Sequence, residues 1–124
     1  MHYLNISFTH KNSNLAIREK LSYADDKDKH ACLNALITSE YINGAILIST
    51  CNRMEVLANC TDVEKATQHT FKHLSKRAEI SEDELKKHAD IFDDSTAIHH
   101  LFSVAASLDS MVLGETQIVG QLKD

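Results

Sequence analysis

Residues 45–60 read AILISTCNRMEVLANC, and how this stretch divides decides the fold. Residues 45–50 form a short β-branched, apolar run bounded by polar residues, the pattern of a central strand buried on both faces. Residues 53–60 alternate, with Met54, Val56 and Ala58 on one side and Glu55 and Leu57 on the other, which predicts a second strand. Its pairing is open. Between the two, Ser49, Thr50, Cys51, Asn52 and Arg53 occupy the C-terminal edge of a buried strand, where a sheet holds side chains rigidly and still points them into a cleft. Two roles fit Cys51 here. It is either a nucleophile whose thiolate reacts even at low population, or a small core residue that happens to carry sulfur.

Working outward, residues 2–8 alternate Tyr3, Leu4, Ile6 and Phe8 with polar residues and predict a strand with one buried face. A polar loop follows, then two helices. Leu15, Ile17 and Leu21 mark the first; Cys32, Leu33, Leu36 and Ile37 mark the second, behind an acidic first turn that suits the helix dipole. Gly44 reads as a turn. Beyond residue 60, Val63, Ala66, Phe71 and Leu74 predict a helix with Asp62 as N-cap. Ser81-x-x-Glu84 is a capping-box pattern opening another. A short extended piece over residues 90–94 precedes a last helix, capped by Asp94 or Ser95, whose apolar stripe is Ile98, Leu101, Ala105, Leu108 and Val112. This order favours an α+β layer fold: a small mixed or antiparallel sheet of ferredoxin-like kind, with helices packed on it and extra helices added.

The length of 124 residues fits one domain, and the chain carries no proline and three glycines, so no flexible linker is written into it. No apolar run approaches the roughly 18 residues of a membrane span, and the start lacks the basic-then-apolar form of a signal peptide. A cytoplasmic protein is expected. Three cysteines without CxxC spacing argue against a disulfide framework or a structural zinc site. A formal net charge of -5 leaves no broad basic field for phosphates. Residues 114–124 stop in what reads as a helix start, with Ile118, Val119 and Leu122 still to be packed, as expected of a segment of a longer protein.

Arg53 adds a planar, permanently charged fork that suits a carboxylate and favours a nearby thiolate. Cys32, on an apolar helix face, and Cys60, at a strand end, are weaker nucleophile candidates. His69 and His73 have the i, i+4 spacing of two metal ligands, but Thr70 stands where a zincin helix has glutamate, and a solvated helix face is the expectation. In the last helix, about 100° per residue places His99 opposite the apolar stripe and His100 on its flank. His100 reads either as the rim of a pocket or as a half-buried structural residue. Asp109, Ser110, Glu115, Gln117 and Gln121 gather hydrogen-bond groups around a glycine turn. Residues 114–120 lack the G-x-G-x-x-G spacing of a dinucleotide loop. Two further classes stay open at this point: a binding module for a small acidic ligand or a protein partner with a structural Cys51, and a cysteine hydrolase using Cys51 and His100.

STCNRMEV at residues 49–56 and HHLFSVAASLDSMVLGETQIVGQLK at residues 99–123 together resemble the catalytic N-terminal domain of glutamyl-tRNA reductase. ISFTHKNSNLAIREKLSY at residues 6–23 is also similar to that family's start, with Thr9 where asparagine is more usual. The resemblance covers the whole chain and is weakest over residues 62–94. It implies an enzyme that reduces glutamyl-tRNA(Glu) with NADPH to glutamate-1-semialdehyde, the first step of tetrapyrrole synthesis by the five-carbon route. Cys51 would be the nucleophile that takes the glutamyl group as a thioester, with His100 in support. The matching positions imply a glutamate pocket lined by Thr50, Cys51, Asn52, Arg53, Ser110, Glu115, Thr116, Gln117 and Gln121. Arg53 would pair with a substrate carboxylate and Glu115 with the α-ammonium. No metal is implied. Residues 1–124 would form the glutamate-recognition domain, while NADPH and the homodimer contact would belong to further domains absent from this chain. The same resemblance implies glutamate-1-semialdehyde aminotransferase as a partner.

Overall fold

The computed structural model describes residues 2–23, 25–50 and 52–107, with side chains as far as His100. Its elements in chain order are β1 (His2–Thr9), α1 (Leu15–Leu21), α2 (Asp26–Ile37), β2 (Ile42–Ser49), β3 (Arg53–Cys60), α3 (Val63–Ala78), α4 (Glu82–Lys87), β4 (Asp90–Asp93) and α5 (Asp94–Ser107). The four strands form one sheet in the order β2-β3-β1-β4. Every neighbouring pair is antiparallel. This is the ferredoxin-like β-α-β-β-α-β arrangement, with a pair of helices in each crossover and α5 appended. No helix among the described residues is long and apolar enough to cross a membrane.

The core forms on one face of the two central strands. Leu4, Ile6 and Phe8 of β1 stand opposite Ala58, Val56 and Met54 of β3, because residues two apart on a strand share a face. Helices supply the other half, with Leu21, Leu33, Leu36, Phe71, Leu74 and Leu85 fully or almost fully buried against them. Phe8 and Phe71 meet edge to face with ring centroids 6.5 Å apart. The caps form largely as expected. The Asp62 carboxylate accepts from the Lys65 amide at 3.0 Å, and the Ser81 hydroxyl accepts from the Glu84 amide at 3.2 Å. Glu84 does not complete the box, since its carboxylate meets His88 and Lys87 instead.

Four expectations about these elements differ from the structure. The apolar run of β2 lies at a sheet edge, not at its centre. Burial on both faces looks the same in sequence whether or not a strand has two neighbours, and here α2 packs on β2. Gly44 sits inside β2 at a register shift between Ile42 and Gly44, where a missing Cβ eases the bulge; it does not form the turn. β1 is buried on both faces, with Asn5 and Ser7 each 1% exposed, because α5 packs over it on the second face. Leu15, expected on the inner face of α1, is exposed instead. Buried Arg18 holds that helix: its Nη1 donates to the carbonyls of Thr9 and Ser13 and closes the β1–α1 loop. Asn12, in the same loop, donates to the Ser7 carbonyl and to Asp90 at 3.0 Å each, joining β1 to β4.

Candidate active site

The turn between β2 and β3 is closed by its outer residues. The Thr50 amide donates to the Arg53 carbonyl at 2.8 Å. In return the Thr50 hydroxyl accepts from the amides of Asn52 at 3.3 Å and Arg53 at 3.2 Å. The short polar side chain thus holds a tight turn that strand pairing alone would leave loose. Cys51 itself lies outside the described residues.

From this turn, Arg53 and Glu55 project from the same side of β3, the face opposite the apolar core. Glu55 is 1% exposed, and a lone carboxylate there would be costly. Two partners compensate it. Arg53 Nη1 donates to Glu55 Oε2 at 2.7 Å, and His100 Nε2 bonds Glu55 Oε1 at 3.0 Å. A carboxylate only accepts, so Nε2 carries the hydrogen and Nδ1 is the nitrogen available for a second partner. The imidazole is further held by stacking on Phe92 of β4, centroids 4.5 Å apart. α5 delivers His100 to this spot directly from β4. Asp94 starts the helix with φ 46°, and its carboxylate accepts from the Tyr3 amide at 3.4 Å and meets His2 Nδ1 at 3.1 Å.

Glu55 is therefore the residue that joins two of the sequence-predicted site residues, and it was given no role from sequence. Its signal was present: Arg53 and Glu55 alternate on one face of an otherwise apolar strand. The same face also buries Asn5, Ser7 and Asn59, and Asn5 Oδ1, Ser7 Oγ and Asn59 Oδ1 have no hydrogen-bond partner among the described residues. His100 is half-buried at 25% side-chain exposure, and His99 is exposed, as helical geometry predicts. Asn52 is exposed beside the turn. Ser110, Glu115, Thr116, Gln117 and Gln121 lie outside the described residues, as do Leu108 and Val112 of the expected apolar stripe.

The other two thiols are poorly placed for chemistry. Cys32 and Cys60 are 1% and 0% exposed, and burial first of all pushes both thiols up from their ordinary range, away from the reactive thiolate. Cys60 Sγ donates to the His2 carbonyl at 3.6 Å. The His69/His73 face is not solvated as expected. Both rings are half-buried towards α2, His69 Nε2 donates to the Ala35 carbonyl at 3.1 Å, and His73 Nε2 is buried without a partner among the described residues. Burial, then His69, Arg77 and Lys76, pulls the His73 pKa down. No cluster of three or more potential metal ligands occurs among the described residues.

Residues 6–124 match the family described as "Glutamyl-tRNAGlu reductase, N-terminal domain". A glutamyl-tRNA reductase of Sulfurimonas denitrificans is 66% identical over 124 residues, all of this chain and 29% of the relative. One of Campylobacter hominis is 52% identical over the same span, again 29% of its length. The chain thus spans less than a third of these curated relatives. Among solved structures, glutamyl-tRNA reductase from Methanopyrus kandleri superposes with a TM-score of 0.56 at 27% identity, over 98% of this chain and 26% of that one. A match running through the β2–β3 turn, Glu55 and His100 and onward to residue 124 leaves one conclusion: the chain belongs to the glutamyl-tRNA reductase N-terminal domain family.

Proposed function

We propose that this chain takes the glutamyl group from glutamyl-tRNA(Glu) onto Cys51 as a thioester, the acyl-transfer half of a glutamyl-tRNA reductase. The observation that carries the reading is the buried Glu55 carboxylate, which ties Arg53 and His100 together beside the turn holding residue 51. The thiolate of Cys51 attacks the ester carbonyl carbon; a C–S bond forms, the C–O bond to the terminal ribose breaks, and the ribose oxygen leaves with a proton. Glu55 fixes the His100 ring through Nε2, so Nδ1 can carry the proton from thiol to leaving oxygen. Only one of Arg53's five N–H donors is committed to Glu55 in this arrangement, and the rest of the fork binds a substrate carboxylate. Thr50 serves by holding the turn, while Asn52, Ser110, Glu115, Thr116, Gln117 and Gln121 complete the glutamate pocket.

NADPH supplies the hydride that turns such a thioester into glutamate-1-semialdehyde. The described residues do not fit it: Gly44 is their one glycine and lies inside β2, so no glycine turn leads from a strand into a helix to cradle a pyrophosphate. Further domains of the longer protein hold NADPH and make the homodimer.

Mass spectrometry of the chain after incubation with glutamyl-tRNA(Glu), without NADPH, tests the reading. A glutamyl adduct on Cys51 is expected, lost in Cys51→Ser and kept in Cys32→Ser and Cys60→Ser. An adduct on another residue, or none, overturns it, and an absent adduct with Cys51 no faster than a free thiol towards iodoacetamide returns the chain to a binding module.

A further inference from the structure

A net charge of -5 argues against a broad phosphate-binding surface, yet the charge is not evenly spread. α3 presents Lys65, His69, Lys72, His73 and Lys76 at helical spacing along one stripe facing the α2 side of the molecule. Three cavities follow that stripe in sequence. One, of about 400 Å³, is lined by Lys65, His69 and Lys72; the next, about 280 Å³, by His69, Lys72, His73 and Lys76; the third, about 400 Å³, by His73, Lys76, Arg77 and Tyr23. Each shares residues with its neighbour, so they form one groove. Tyr23 also lines a fourth cavity of about 350 Å³ that reaches Ser49 and Thr50. The groove along α3 thus reaches Tyr23, and the fourth cavity, which meets it only at that residue, reaches Thr50, the residue preceding Cys51.

The cations in it are available. Lys65, Lys72 and Lys76 are exposed, and none of them is in an ion pair among the described residues. Arg77 is committed to the wall: its Nη2 donates to the Ser22 carbonyl at 2.6 Å and its guanidinium covers the Tyr23 ring at 3.8 Å. Three carboxylates line these cavities, Glu82 and Asp28 along α3 and Glu19 in the cavity at Thr50, and none of them is in an ion pair with these lysines among the described residues. His73 Nε2, buried and without a partner among the described residues, adds a polar atom to the floor.

We propose that the α2–α3 groove is a track for the phosphodiester backbone of an RNA, leading its acylated end to the β2–β3 turn. The inference rests on the acyl-transfer reading above and deepens it. A glutamyl ester on a polynucleotide brings that polymer across the surface next to Cys51, and the lysines of α3 offer it a basic path that ends one cavity short of Thr50. From Lys65 to Lys76 the helix rises about 16 Å at 1.5 Å per residue. That is about five phosphate spacings of a stacked strand at roughly 3.4 Å each. Lysines act there as point charges on phosphates, without reading bases.

The test is fluorescence anisotropy of the 124-residue chain with labelled, unacylated tRNA(Glu) over a range of salt concentrations, on variants first shown by circular dichroism to be folded. Lys72→Glu/Lys76→Glu should bind about 10-fold or more weaker, with a salt slope smaller by about 2, and Lys72→Gln/Lys76→Gln should fall between it and the parent. Lys11→Glu/Lys87→Glu, which makes the same change of charge away from the groove, should bind close to the parent. Equal losses in the two charge reversals, no loss in either, or no RNA binding by the parent chain overturns the proposal. So does competition by polyglutamate as strong as by unlabelled RNA, which would mark a surface for acidic protein. A small activated glutamyl ester, which has no RNA, should acylate Cys51 equally in parent and groove variants. If the parent is not acylated by it while the RNA results hold, the acyl-transfer reading fails and the groove stands.

Discussion

The two faces of the sheet are made by the same two central strands, yet they are built on opposite principles. On one, Leu4, Ile6, Phe8, Met54, Val56 and Ala58 form an apolar layer under the helices. On the other, Asn5, Ser7, Glu55 and Asn59 are also buried, and three of their oxygens lack partners among the described residues. The apolar face gains from every buried methylene, whereas the polar face carries desolvation costs that only specific partners offset. That face holds Arg53 and Glu55, with His100 of α5 bonded to Glu55 across it, and the proposed acyl transfer would give these fixed charges their use.

This contrast can be broken most forcefully from the apolar side. Phe8→Ala should cost about 3–5 kcal/mol in urea unfolding, leaving a cavity against Phe71, with the Cys51 adduct still formed by the molecules that stay folded. On the polar side, Glu55→Gln should cost less stability, about 1–3 kcal/mol, but slow thioester formation by about 100-fold, read in single-turnover acylation with glutamyl-tRNA(Glu). If the two substitutions moved stability and acylation in the same proportion, the faces would not be divided in this way. Ser7→Ala sharpens the contrast further, since removing an unpartnered hydroxyl should leave stability unchanged or raise it by up to about 1 kcal/mol. The smallest effect is expected at His73, a half-buried polar residue on the helical side. Its folded pKa lies below the unfolded value, so the unfolded chain binds the proton more readily and stability falls as pH drops below about 6.5. His73→Gln should lose less stability than the parent between pH 7 and pH 5.5 by urea titration.

Much of the architecture was readable because it rests on local chemistry. Alternation in residues 53–60 gave the two faces of β3 correctly, Asp62 and Ser81 marked their helices, and helical geometry separated exposed His99 from half-buried His100. What escaped depends on neighbours far along the chain. The edge position of β2 is a matter of pairing, to which an apolar run is blind. The second buried face of β1 exists only because α5 returns over it, and the half-burial of His69 and His73 depends on where α2 lies. Glu55 was missed for the same reason. A charged residue in a strand reads as solvent-facing until the histidine 45 positions later is seen beside it. Cys51 was singled out from its position and Arg53, and the catalytic role proposed for it rests on family resemblance, since two-residue spacing alone does not distinguish a nucleophile from a core thiol.

The strand order also carries a consequence for synthesis. β1 leaves the ribosome first but lies second from one edge, between β3 and β4, so both of its neighbours are made later. At roughly 5–20 residues per second, its ladder groups and its apolar side wait several seconds for β3 and longer for β4. The Asp94 carboxylate, which meets His2 and Tyr3 across more than ninety positions, can only fasten once nearly the whole segment has emerged. Until its last strand arrives, a nascent chain of this fold leaves the ladder groups along one side of β1 unpaired.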